Sequence, residues 1–96
     1  MDALSDIVQI LKKLKPELVD KYHVSSIGLF GSIVRDDFTV SSDVDIIVDF
    51  SQPVGVEFIE LADLIEDRIG KSVDLVSKNG VKPRYYEEIA PEIIYV

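Results

Sequence analysis

Apolar residues recur at helical spacing from the start of the chain. Leu4, Ile7, Val8, Leu11 and Leu14 fall three and four apart, and Lys12, Lys13 and Lys15 fill the other side. This spacing predicts an amphipathic helix over Met1 to Lys21 with a solvated basic face. Proline suits the first turn of a helix but not its interior, so Pro16 is expected to open a second segment at Pro16-Glu17-Leu18-Val19. His23 falls in a connector, as a surface or capping residue. The period then shortens. Ser25 to Phe30 reads as a strand, Gly31-Ser32 as a turn, and Asp36 to Ser42 as a polar connection whose Ser41-Ser42 pair is turn chemistry. Asp43 to Phe50 reads as a second strand. It is apolar on both faces after its first residues, the pattern of a central, covered strand.

The second half repeats the alternation of periods. Ser51 to Gly55 is a loop, and Val56 to Ile69 a helix with Phe58, Leu61, Ala62, Ile65 and Ile69 on one face. Glu57, Glu60, Asp63, Glu66 and Asp67 make its other face acidic, and Gly70 is expected to cap it. Lys71 to Ser77 reads as a third strand, Lys78-Asn79-Gly80 as a turn, and Pro83 to Ala90 as a short helix broken at Pro91. Ile93 to Val96 reads as a last strand or a packing tail. These elements predict an α+β fold: a small mixed β-sheet with packed helices, in a single domain spanning residues 1–96.

Candidate chemistry gathers between Ile27 and Phe50. Residues two apart on a strand share a face, about 6.6 Å apart, so Asp43 and Asp45 are expected to project together from the start of an apolar strand. At a separation of about 4 Å and an effective dielectric near 20, two carboxylates repel by about 4 kcal/mol. A cation reverses that sign, and Mg²⁺ takes one or two carboxylates plus substrate phosphates. Asp74 interrupts the apolar residues of the third strand, where a buried aspartate is costly without a partner; a metal shared with Asp43 and Asp45 would supply one. Gly31 permits close backbone approach. Ser32 is a good N-cap, so Ser32 to Arg35 can begin a short helix whose free N–H groups face an anion. Arg35 has two readings, reaching a phosphate or pairing with Asp36, Asp37 or Asp49. Lys78, Lys82 and Arg84 also have two, holding triphosphate or balancing the helix start at Pro83. Tyr85, Tyr86 and Tyr95 are acceptors of nucleotide only in the sense that any exposed tyrosine is. Together, a Gly-Ser turn and an Asp-x-Asp strand are equipment for phosphoryl or nucleotidyl transfer.

Composition narrows the partners. The chain has 96 residues and a net charge of −8, which argues against an extended nucleic-acid surface, since phosphate neutralisation needs clustered Lys and Arg. It has no cysteine and one histidine, so disulfides are excluded and a zinc site is not expected. No signal-peptide pattern and no apolar run of about 18 residues is present, and the expected location is cytoplasmic, with no membrane partner.

Gly31-Ser32, ten residues, then Asp43-Val44-Asp45 is similar to the GSx10DxD signature of the DNA polymerase β-like nucleotidyltransferase superfamily, and the chain resembles its minimal (MNT) type. Arg35 after Gly-Ser, Ser41-Ser42 before the aspartates and Asp74 on a later strand also match that family. Asp36 departs from it, standing where the family commonly has glycine. The resemblance is strong from Ile27 to Val76 and looser at the ends. It implies the polymerase β palm-like fold, with Asp43, Asp45 and Asp74 as catalytic residues holding Mg²⁺, two ions in all. Gly31, Ser32 and Arg35 would bind the nucleotide. It implies transfer of AMP from ATP to an acceptor hydroxyl. Minimal domains of this kind are often paired with HEPN-domain toxins, so the resemblance also implies an antitoxin that modifies a toxin tyrosine, with the acidic helix face as a docking surface. A second copy of the chain is a further candidate partner. Two other readings stay open: a binding module that neutralises a partner by contact alone, and a small-molecule nucleotidyltransferase served by a separate acceptor-binding subunit.

Overall fold

A computed structural model describes residues 3–96. In chain order the elements are α1 (Ala3–Tyr22), β1 (Val24–Phe30), α2 (Ser32–Arg35), β2 (Val44–Phe50), α3 (Glu57–Ile69), β3 (Val73–Ser77) and α4 (Pro83–Ile89). A 3-10 turn (Ala90–Glu92) and β4 (Ile94–Tyr95) follow. The four strands form one sheet in the order β3-β2-β1-β4. β1 is antiparallel to β2 and β4, and β2 is parallel to β3. The fold is α+β with a mixed sheet, as the alternating periods predict, and β2 is central.

α1 runs unbroken through Pro16, against the expectation of a second segment there. Pro16 is exposed while Leu14 and Leu18 on either side are buried. Water can therefore serve the carbonyl that proline leaves without a donor, and burial of the apolar stripe outweighs the lost hydrogen bond. Met1 and Asp2, which open the expected helix, lie outside the described residues.

The two faces of the sheet are covered unequally. Ile27 and Leu29 of β1 and Val44, Ile46 and Val48 of β2 pack with Ile7, Leu11, Leu14 and Leu18 of α1 and Leu61 and Ile65 of α3. The alternate residues, Phe30 and Ile47, form a smaller cluster with Ile89 of α4, flanked by Val76, Tyr86 and Ile93. The chain's end crosses close over Gly28, where a Cβ would come within 2.6 Å of Ile93. Gly70 caps α3 in the left-handed conformation, at φ 74°. Among the described residues no helix is long and apolar enough to cross a membrane.

Candidate active site

Strand pairing places Asp45 at the centre of the candidate site. It lies opposite Phe30 on one side and Asp74 on the other. Because side chains alternate, Asp45 shares the thinly covered face with Ile47. Gly31 follows Phe30 directly, with φ 79° and ψ −151°, a conformation essentially confined to glycine. A Cβ there would collide with the Asp45 carboxylate. The Gly-Ser turn and the second aspartate of Asp-x-Asp are thus pressed together, although they are distant in sequence.

Two local expectations are corrected. Gly31, not Ser32, is the N-cap of α2, and no side chain caps it; Ser32 is the first helical residue. The chain turns so sharply at Gly31 that its own carbonyl accepts the N–H groups of Val34 and Arg35, at 3.0 and 3.1 Å. Asp74 is exposed rather than buried. Its strand lies at the edge of the sheet, so burial places no demand for a partner on Asp74. Asp43 is exposed too and precedes the first residue of β2. The backbone holds it near β3, through the Val44 N–H donated to Ser72 at 2.9 Å. Thr39, Ser41 and Ser42 brace the loop before it with hydroxyl contacts of 3.1 Å. Asp36, where glycine would be usual, adopts φ 70°, a left-handed conformation that aspartate tolerates.

The electrostatics are those of crowded anions. Half-buried Asp45 has its pKa raised, first by burial, then by Asp74 and Asp43; Arg35 opposes the shift and Glu92 adds to it. Such a carboxylate is better served by a cation than by its neighbours. Among the described residues, no three acidic or histidine side chains gather closely enough to hold a metal by themselves. A magnesium that completes its shell with substrate phosphate and water needs only one or two carboxylates, and Asp45, with Asp74 and Asp43 beside it, could supply them.

Beside Asp45 lies a groove of about 340 Å³, lined by Gly31, Arg35, Tyr85, Glu88 and Glu92 among others. Neither glutamate was singled out by sequence, and Tyr85 only as one of several tyrosines. Its ring stands edge-on to Phe30, with centroids 6.5 Å apart. Burial raises its pKa first, followed by Asp45, Asp74, Glu92 and Glu88. Arg35 pairs with Glu92 at 3.3 Å and with Asp37 at 3.9 Å. Lys78, Lys82 and Arg84 do not line the groove, and Lys78 lies over the Tyr86 ring at 5.3 Å. A larger pocket of about 780 Å³ opens at the far end of the sheet, around Phe50, Phe58 and Leu75. It holds none of the candidate carboxylates.

Over residues 11–96, which include the whole groove, the chain matches the nucleotidyltransferase domain family. The protein adenylyltransferase MntA of Thermococcus cleftensis is 41% identical over 97 residues, covering 100% of this chain and 98% of that protein. A solved structure described as a candidate minimal nucleotidyltransferase superposes with a TM-score of 0.80 at 26% identity, over 98% of this chain and 95% of the other. A chain from a tri-AMPylated Shewanella oneidensis HEPN toxin in complex with an MNT antitoxin shares the fold, with a TM-score of 0.62 at 21% identity over 99% of this chain and 71% of that one.

Proposed function

The chain belongs to the nucleotidyltransferase domain family, and from that premise we propose that it transfers AMP from ATP to a hydroxyl of a partner protein. The observation that carries this reading is the register of β2: Asp45 stands between the Gly31 turn and Asp74. A phosphate-receiving backbone and paired carboxylates then meet at one end of the sheet.

In this reading the backbone N–H of Gly31, the Ser32 hydroxyl and the Arg35 guanidinium receive the phosphates. Asp43, Asp45 and Asp74 would hold Mg²⁺, which when bound supplies charge neutralisation at the triphosphate and acidifies the attacking hydroxyl. The acceptor oxygen would bond to the α-phosphorus as pyrophosphate leaves, and Asp74, exposed beside Asp45, would take the hydroxyl proton. The open groove suits an acceptor brought by another protein. The full-length likeness to an adenylyltransferase and the fold shared with a chain of an MNT–HEPN complex support a HEPN-domain toxin as that protein; a tyrosine as its acceptor rests on the family resemblance alone.

Intact-mass spectrometry of the partner after incubation with ATP and Mg²⁺ tests this. Added AMP that is lost with Asp45→Asn is the expected result. A stable complex with no mass change would instead favour neutralisation by contact alone.

A further inference from the structure

Glu92 occupies two of the three donors that the proposed function assigns to phosphate. Its Oε1 accepts the Gly31 backbone N–H at 3.0 Å. Arg35 Nη1 donates to the same carboxylate, at 3.3 and 3.4 Å to its two oxygens. A carboxylate and a phosphate look alike to such donors, since both present charged oxygens that only accept. The other ionisable groups along the groove, Asp45, Glu88 and Tyr85, give Glu92 no cationic partner besides Arg35. Its side chain as a whole is 23% exposed. A negative side chain is therefore held beside Asp45 by the two donors alone.

The backbone delivers it there. Glu92 ends the 3-10 turn after α4, and the next residue, Ile93, lies against Gly28. β4 then pairs with β1 at Gly28 and Leu29.

We propose that Glu92 is a built-in competitor for the nucleotide's phosphates: it fills the Gly31 and Arg35 donors in the free protein and is displaced when triphosphate binds. This rests on the phosphate-binding role given to those donors above. The arithmetic is that of a binding-competent fraction. If Glu92 holds the donors about nine-tenths of the time, apparent affinity is about tenfold weaker than the open site allows. The opposite role is a strut that keeps Gly31 and Arg35 in shape for phosphate, and it predicts the opposite sign.

The test is calorimetric titration of wild type and Glu92→Gln with ATP and with inorganic tripolyphosphate, each with Mg²⁺. Glutamine keeps the side-chain volume and can still accept the Gly31 N–H, but it drops the charge. Glu92→Ala, checked for folding by thermal melting, serves as the second variant. About tenfold tighter binding of both probes by Glu92→Gln is expected, because the gain lies at the phosphates and not at the base. An NMR shift of the Gly31 amide on titration should come at correspondingly lower ligand concentration. Unchanged or weaker binding in a folded variant, with wild type still binding, would overturn the competitor and leave the nucleotide site standing. No binding of either probe by any of the three proteins would overturn both readings.

Discussion

The two faces of the sheet obey different demands. On the face covered by α1 and α3, side chains from five elements interdigitate, and Leu11, Leu18, Ile27, Leu29, Ile46, Leu61 and Ile65 are fully buried. On the other face, Phe30 and Ile47 have only a short helix, which contributes Ile89, and the chain's end above them. That face also carries Asp45 and Asp74. The same strands supply both faces, because alternation sends every second residue each way. A small domain thereby keeps its apolar burial on one side and leaves crowded carboxylates reachable on the other.

Core truncations should separate the faces most clearly. Leu61→Ala removes a side chain with no exposure from the doubly covered face and should cost about 3–5 kcal/mol in urea unfolding. Ile89→Ala, on the thin face, should cost about 2 kcal/mol, because the chain's end can settle into the space and the penalty depends on how far a site collapses. Equal losses would mean that the thin face packs as tightly as the other, and the contrast would fail.

Gly31→Ala probes the seam between the two demands. Forcing a Cβ into φ 79° and ψ −151° costs on the order of 1–3 kcal/mol, and that Cβ also displaces the Asp45 carboxylate. A loss of stability in that range together with lost ATP binding is expected, measured by melting and by titration on the same preparation. Retained binding in a destabilised variant would separate the turn from the site.

What the sequence made legible follows the same division. The covered face was readable because its signals are periodic: Ile7, Leu11 and Leu14 on a helical stripe, Val44, Ile46 and Val48 on a strand. The Gly-Ser and Asp-x-Asp spacing pointed to the region where the backbone brings Gly31 against Asp45. The thin face was less legible, because its partners are set by tertiary contact. Burial of Asp74 was expected from its apolar neighbours, yet strand order leaves β3 at an edge, and strand order is not written in periodicity. Glu92 is 57 residues from Arg35, and only the pairing of β4 with β1 brings it back. Pro16 misled for a related reason: its local rule is sound, but the packed stripe around it overrides it.

The smallest expected effect tests the contrast on a single side chain. Burial and the nearby Asp74 and Asp43 raise the pKa of Asp45 above its ordinary value of 3.8. A folded-state pKa above the unfolded one means that the group's stabilising contribution is complete below the unfolded pKa. It is lost as pH rises through the folded one. At neutral pH, then, ionised Asp45 makes the fold less stable than a neutral side chain would. Asp45→Asn, in the presence of a chelator so that no divalent cation relieves the repulsion, should melt above wild type at pH 7. The gain should shrink as pH falls and vanish below about pH 3.8, where wild type is protonated too. The same substitution should abolish AMP transfer, so one change would raise stability and remove function. A variant that instead melts lower at pH 7 would show that Arg35, which opposes the shift, outweighs burial and the two carboxylates. Asp45 would then be a contributor to stability like the residues of the covered face.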